Sequence, residues 1–177
     1  MSNGSKEWET SLVGHFLDSK LPFHVVNSTA RKIWRNAGLL EVHSKGNGFF
    51  LFKFRNEAGL LEVLEGGPWL IAGHHIFLKR WRWGLRLTKE VVSRIPVWVQ
   101  LHDVPLEYWI AEGLSCLASA VGIPLYADSA TEGRRRLNYA RVCIEIDASK
   151  PIVTEFSVDL FNDAMQVDGT SLISVIY

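Results

Sequence analysis

Cationic and aromatic side chains occur close together in several stretches of this sequence, and their chemistry is that of nucleic-acid contacts. Arginine and lysine pair with phosphates, and flat aromatic rings stack on bases. The residues that could make such contacts are Lys45, Asn47, Phe49, Lys79, Arg80, Arg82, Arg86, Arg134, Arg135 and Arg136. These residues predict salt-sensitive binding of RNA or single-stranded DNA, with little dependence on base sequence.

Two of these stretches have a simpler interpretation beside the functional one. Over residues 76–83, the stretch Ile-Phe-Leu-Lys is followed by alternating Arg and Trp, so neither strand face is purely apolar. This pattern also describes a strand that closes a domain and whose tryptophans cover the core. The three consecutive arginines at 134–136 are equally typical of a solvated loop.

The first half of the chain has the pattern of a four-stranded domain. Short apolar or alternating runs predict strands over 9–17, 39–43, 49–55 and 76–83. Helical spacing of Val26, Ala30 and Trp34 predicts a helix after the first strand, capped by Asn27 or Ser28. A second helix, with leucines at helical spacing, starts at Asn56-Glu57 and ends at Gly66-Gly67-Pro68.

This order of strand, helix, strand, strand, helix, strand predicts a ferredoxin-like α+β module over residues 9–83, of the kind found in RNA-recognition motifs. The two helices are expected to cover one face of the sheet, with Phe50, Phe52 and Phe54 beneath them. The other face is expected to be open and to carry Phe49, which makes it the expected binding surface. Residues 1–8 are expected to be a flexible leader.

The second half predicts another α+β module. Residues 84–95 form a basic linker in this interpretation, and residues 96–177 hold a strand, a helix over 108–121 and four further antiparallel strands. Among these strands, 139–147 alternates most clearly between apolar and polar residues. We expect this module to pack on the first.

Composition places the protein among globular, intracellular chains. The sequence has 177 residues, a net charge of +0 and 47% hydrophobic residues, so nucleic-acid binding would depend on local patches. Cys116 and Cys143 are expected as reduced thiols in the core, which favours a nuclear or cytoplasmic location. No signal peptide, membrane-length apolar run, metal-ligand spacing or catalytic motif is recognisable, so we expect no membrane association, no cofactor, no metal and no enzyme activity.

The chain resembles a plant-specific domain, domain-of-unknown-function family 4283, which forms the N-terminal part of first-open-reading-frame proteins in plant LINE-type retrotransposons and their domesticated relatives. The resemblance spans about 11–177 and includes the segments Leu12-Val13-Gly14, Ile33-Trp34, Phe49-Phe50-Leu51-Phe52-Lys53-Phe54, Leu64-Glu65-Gly66-Gly67-Pro68-Trp69, Leu78-Lys79-Arg80-Trp81, Pro96-Val97-Trp98-Val99-Gln100-Leu101, Pro105-Leu106-Glu107-Tyr108-Trp109, Gly122-Ile123-Pro124 and Tyr139-Ala140-Arg141-Val142-Cys143. It implies nucleic-acid binding without a catalytic centre, in a protein where a zinc knuckle commonly follows.

The third strand can be compared with the RNA-recognition-motif signature Lys/Arg-Gly-Phe/Tyr-Gly/Ala-Phe-Val-x-Phe/Tyr. Residues 45–52 read Lys-Gly-Asn-Gly-Phe-Phe-Leu-Phe, so Asn47 replaces an aromatic that would stack on a base. The first strand also lacks a stacking aromatic. The alternative function is protein interaction or self-assembly, through open sheet faces and Trp-rich edges.

Overall fold

A computed structural model describes residues 3–17, 19–87 and 93–177 of the chain. The chain divides into two compact units, Met1–Ser93 and Arg94–Tyr177. None of the helices in these described ranges is long and apolar enough to cross a bilayer.

The first unit is built around one antiparallel sheet. Its elements are α1 (Asn3–Trp8), β1 (Ser11–Phe16), α2 (Phe23–Ile33), β2 (Leu39–Gly46), β3 (Phe49–Phe54), α3 (Glu57–Glu65), β4 (Trp69–Ile71) and β5 (His74–Arg80). The strands lie in the order β2-β3-β1-β5-β4. This is the predicted ferredoxin-like order with one short strand, β4, added at the edge, so the predicted fold class is confirmed.

Local chemistry explains where the two long helices begin. Asn56 caps α3, because its side-chain oxygen accepts a hydrogen bond of 2.9 Å from the backbone N–H of Gly59. The expected cap of α2 is wrong, since that helix starts after Pro22 without a side-chain cap. Asn27 and Ser28 instead lie inside the helix, where Asn27 accepts from Arg31 and Ser28 donates to the carbonyl of Val25.

The side of the sheet beneath α2 and α3, here called the helix face, holds the predicted aromatic core. Phe50, Phe52 and Phe54 are 4%, 0% and 0% exposed, which confirms their predicted facing. The Trp34 ring meets Phe52 edge to face at 5.0 Å. Gly14 faces the same core, where an added Cβ would lie only 2.8 Å from Cδ1 of Ile76.

The chain start differs from the expected flexible leader. Residues 3–8 form α1, and Trp8 at its end is half-buried. The Trp8 ring contacts the His43 ring at 5.8 Å, and Nζ of Lys53 lies 5.2 Å above it. An aromatic anchor on the sheet explains why this short polar segment is ordered.

The second unit contains one further sheet. Its elements are β6 (Arg94–His102), α4 (Ala111–Ser119), β7 (Ile123–Ala127), α5 (Ser129–Glu132), β8 (Tyr139–Asp147), β9 (Glu155–Phe161) and β10 (Val167–Ile176). A turn of 3-10 helix at Leu106–Tyr108 precedes α4, which therefore starts later than predicted. The apolar core on the α4 side includes Val99, Leu101, Val142 and Ile144.

The two sheets have equivalent strand orders, which the sequence did not reveal. The second sheet runs β7-β8-β6-β10-β9, so β6 and β8 occupy the central places that β1 and β3 occupy in the first. Residues 148–154 contain no helix where the first unit has α3. The second unit is thus a ferredoxin-like sheet that lacks the second helix of the pattern, which hides the repeat from sequence inspection.

Candidate nucleic-acid interface

The outer face of the first sheet, opposite α2 and α3, is the expected binding surface. Phe49 lies on it as predicted, yet its side chain is only 2% exposed. Val13 and Leu51 join it in an apolar cluster, and Trp8, Trp81, Leu85 and Leu87 pack against this cluster. The expectation of an open face with an exposed Phe49 is therefore wrong, because the chain after β5 turns back across the sheet.

A row of rings extends from Phe49 across the outer face. The His15 ring lies 5.3 Å from Phe49 and 5.8 Å from Phe77, and Phe77 lies 4.6 Å from His75. His75 is exposed, and its partial burial against Phe77 lowers the pKa of its imidazole below the usual 6.5, which favours the neutral form.

Lys45 and Asn47 do not lie beside Phe49 on one surface. Lys45 is exposed near the end of β2. Asn47 sits in the turn between β2 and β3 with a positive φ of 53°. Of the three residues, Lys45 and Phe49 match the RNA-recognition signature and Asn47 departs from it. They lie at the end of a strand, on a covered face and in a turn, respectively.

Arg80 faces the helices rather than the outer face. In the β1–β5 ladder it is paired with Leu12, a helix-face residue. Its Nη2 donates to Oε1 of Glu57, in the first turn of α3, at 2.8 Å. The expectation that Arg80 borders the binding face is wrong, because strand alternation places it on the same side as Leu78. Lys79 has the opposite facing and is half-buried.

Arg82 and Arg86 are exposed in the segment that follows β5. This segment, residues 81–87, replaces the expected end of the strand and the expected start of the linker. Trp83 lies between the two arginines and is 82% exposed. The strand predicted over residues 76–83 included Trp83, and its position next to Gly84 was the signal for a turn. Residues 88–92 of the expected linker lie outside the described residues. The predicted end of the linker at residue 95 is wrong, because Arg94 and Ile95 already belong to β6.

The run Arg134-Arg135-Arg136 is not a uniform solvated loop. Arg136 donates from Nη2 to both carboxylate oxygens of Asp128, at 3.2 and 3.0 Å, and to Oγ1 of Thr131 at 3.1 Å. Arg134 is exposed, although its Nε donates to the carbonyl of Trp109 at 3.1 Å. Arg135 is exposed and makes no side-chain hydrogen bond or ion pair within the described ranges.

Asp128 organises this loop from a nearly buried position. It caps α5 by accepting from the backbone N–H of Thr131 at 2.9 Å. Burial alone would raise the pKa of Asp128, but the hydrogen bonds from Thr131 and Arg136 and the charge of Arg136 together hold it below 3.8. The carboxylate therefore stays charged and neutralises Arg136 locally.

Two aromatic residues outside the predicted binding set, Tyr139 and His102, lie beside this loop. The guanidinium of Arg136 lies 4.1 Å above the Tyr139 ring. Tyr139 pairs across the ladder with His102, and their rings are 5.2 Å apart. We call Arg134, Arg135, Arg136, Tyr139 and His102 the basic corner. The signal for it was the alternation in 139–147, which places Tyr139 on the polar face.

Further along the same face, the guanidinium of Arg141 lies 4.5 Å above the Trp98 ring, and Trp98 is 5.7 Å from Tyr126. All three side chains are half-buried. Aromatic rings and arginines thus follow the central strands β6 and β8 on the side opposite α4.

Other candidate chemistry is sparse. Within the described ranges no group of three His, Cys, Asp or Glu side chains could hold a metal ion. Both cysteines are free thiols, and Cys143 is buried as expected. The expectation for Cys116 is wrong, because it lies on the solvent side of α4 and is exposed.

Comparison with known proteins gives a family match for the first half of the chain. Residues 4–89 match the family described as "Domain of unknown function (DUF4283)". An uncharacterised protein of Arabidopsis thaliana is 33% identical over 85 residues, which cover 48% of this chain and 26% of that protein. The chain thus spans about a quarter of that relative's length.

Several solved structures align with most of the chain at low identity. The C. elegans NONO-1 homodimer is 11% identical, with a TM-score of 0.34 over 94% of this chain and 49% of that chain. The RNA-binding domain of Hrp1 in complex with RNA is 12% identical, with a TM-score of 0.35 over 80% of this chain and 84% of that one. RNA-recognition domains 1 and 2 of Drosophila melanogaster Sex-lethal are 11% identical, with a TM-score of 0.33 over 79% of this chain and 88% of that one. The strand order described above, rather than these alignments, establishes the ferredoxin-like fold.

Proposed function

We propose that this protein is a non-catalytic nucleic-acid-binding domain that takes single strands, RNA or DNA. The observation that carries the proposal is the basic corner, where the Arg136 guanidinium lies 4.1 Å from the centre of the Tyr139 ring and the His102 ring lies beside Tyr139. Arg134 and Arg135 are exposed next to this stack. Phosphate-binding cations and stacking planes thus occur together, as single-strand binding requires.

The members of the corner have different roles. Asp128 offsets the charge of Arg136, which leaves its guanidinium as a flat plane for a base rather than as a phosphate contact. Arg134 and Arg135 supply the phosphate contacts, because no described carboxylate pairs with either side chain. The earlier expectation of three phosphate contacts from this run is reduced to two.

Position in the fold supports the same assignment. Tyr139 and His102 lie at the ends of β8 and β6, the two central strands of the second sheet. In ferredoxin-like domains of the RNA-recognition type, the aromatics that stack on bases stand on the two central strands of the face opposite the helices. The second unit has aromatic rings at these positions. In the first unit, the segment 81–87 covers the equivalent face of its own sheet.

The test compares two double variants with the same change in charge. Arg134→Ala/Arg135→Ala should weaken binding of a labelled single-stranded oligonucleotide and lower the slope of log affinity against log salt by up to about twice 0.7. Arg94→Ala/Lys150→Ala is the matched control, since both residues are exposed and Arg94 begins the strand that His102 ends. Equal effects of the two pairs, or none, would refute the role of the corner.

We place the protein, as part of this proposal, among retrotransposon-type proteins or their domesticated relatives. The sequence resemblance and the family match over residues 4–89 support this origin. Sequencing of the flanking genomic DNA tests it, with a zinc knuckle or a reverse-transcriptase reading frame downstream as the expected result. An intracellular location, in nucleus or cytoplasm, belongs to the same proposal and is tested with a fluorescent fusion.

Self-assembly is the second candidate, and one observation favours it. β9 is an edge strand, and the hairpin it forms with β10 exposes Phe161, Met165 and Leu172 by 52%, 78% and 52%. Edges and apolar tips of this kind can pair with another copy. Sedimentation over a range of protein concentrations tests this, and a monomer throughout would exclude it.

A further inference from the structure

The covering segment of the first unit, residues 81–87, has two sides with opposite chemistry. Leu85 and Leu87 pack inward on the cluster of Val13, Phe49 and Leu51. Arg82, Trp83 and Arg86 are exposed on the other side. Its sequence is Trp-Arg-Trp-Gly-Leu-Arg-Leu, which has two cations and no acid.

Trp83 stands at the tip of a hydrogen-bonded turn. The N–H of Leu85 donates to the carbonyl of Arg82 at 3.1 Å, and Gly84 takes the positive φ of 79° that this turn needs. The turn is fixed on both sides, because the N–H of Trp81 donates to the carbonyl of Ser11 at 2.9 Å and Leu85 packs on the sheet. A ring held outward on a fixed backbone loses little conformational freedom when it binds a ligand.

We propose that this turn is a second contact site for single-stranded nucleic acid, in which Trp83 stacks on one base and Arg82 and Arg86 contact the flanking phosphates. This inference rests on the proposed function and extends it to the first unit. The positions where a related fold would stack bases, on β1 and β3, lie beneath the segment. The turn therefore replaces the covered face as the site of contact in this unit.

The surroundings of Trp83 favour a nucleic-acid strand over a protein partner. A tryptophan that anchors a protein interface sits in a ring of other apolar contacts that exclude water. The neighbours of Trp83 in the turn are Arg82 and Gly84, both exposed, and the apolar residues of the segment face the sheet instead. Within the described residues 81–87, Trp83 is an exposed ring with a cation on either side, which is the composition of a base-stacking site.

The test uses fluorescence anisotropy of the full chain with a fluorescein-labelled oligouridylate and with an abasic strand of the same length. Trp83→Ala should weaken binding of the oligouridylate by about 5- to 150-fold, the effect of one lost stack, and Trp83→Phe should restore most of it. Affinity for the abasic strand should not change, since the phosphates remain. Phe23→Ala, which removes another exposed ring of the first unit, is the matched control. Thermal unfolding should be unchanged in all three variants.

Each contrary result has a distinct meaning. If the wild-type chain binds neither strand, the proposed function fails and this inference fails with it. If the wild-type chain binds and Trp83→Ala binds equally well, only the inference is overturned. An equal loss on both strands would show that Trp83 does not stack on a base. A change in sedimentation of Trp83→Ala, without a change in binding, would assign the ring to self-assembly and also overturn the inference.

Discussion

Replacing Phe49 with alanine should destabilise the first unit strongly while leaving single-strand affinity of the folded protein nearly unchanged. The side chain is 2% exposed, contacts the His15 ring at 5.3 Å and lies in the cluster that the covering segment closes. An open sheet face would give the opposite result, with an intact fold and an affinity lower by about 1–3 kcal/mol.

The magnitude follows from the buried area. An aromatic side chain buries about 150–250 Å², which at about 25 cal/mol per Å² corresponds to roughly 4–6 kcal/mol. A compact denatured state lowers this figure by about 10–40%, and substitutions of buried Phe by Ala cost about 3–5 kcal/mol. We expect a loss of about 3–5 kcal/mol, a large part of the stability of a small domain.

Urea denaturation of the full chain measures the loss, and hydrogen exchange followed by mass spectrometry shows where it occurs. Peptides from β1 and β3 should lose protection, while those from β6 and β8 should not. Phe161→Ala serves as the control, because its ring is 52% exposed and its removal should cost less than about 0.5 kcal/mol. A cost below about 1 kcal/mol for Phe49→Ala, with a tenfold loss of affinity, would refute the covered face.

Three further predictions concern single contacts. Gly14→Ala should cost the first unit about 1–3 kcal/mol in urea denaturation, because the new Cβ would lie 2.8 Å from Ile76. Arg80→Ala should leave anisotropy titrations with a single strand unchanged, because Glu57 already pairs with this guanidinium. The pKa of Asp128 is lowered below 3.8, so its carboxylate stabilises the second unit above about pH 4 and this contribution disappears as the pH falls through the folded-state pKa. Thermal unfolding at decreasing pH should therefore lose stability more steeply in the wild type than in Asp128→Asn. A stabilised Gly14→Ala, a weaker-binding Arg80→Ala or parallel pH profiles would contradict these contacts.

Alternation and helical spacing predicted much of the fold. The three phenylalanines on one side of β3 and the helix start at Asn56-Glu57 are local features, and local features determine strands and helix starts. Burial of both faces of the first sheet was harder to predict from the sequence. Apolar residues at successive positions of β1 are nevertheless typical of a strand that is covered on both sides. Residues 81–87 cover the outer face because the chain changes direction at Trp81. No periodicity in the sequence predicts this change of direction.

The candidate site also combines features that are evident from the sequence with features that only the tertiary fold creates. The three consecutive arginines were visible in the sequence, and their separate roles were not. Those roles depend on Asp128 and on Tyr139, which the fold brings to Arg136 from either side of the loop. Pairing of His102 with Tyr139 likewise depends on the register between β6 and β8. Composition thus indicates which side chains could bind, whereas tertiary packing decides which of them are free to do so.

Salt dependence of single-strand binding tests the central proposal most directly. The full chain is titrated into a fluorescein-labelled single-stranded RNA, and separately into the DNA of the same sequence, at two salt concentrations. The proposal predicts saturable binding that weakens as salt increases, with a slope of about 0.7 for each phosphate contact. Absence of binding to both strands at the lower salt concentration, or an affinity that does not change with salt, would contradict it.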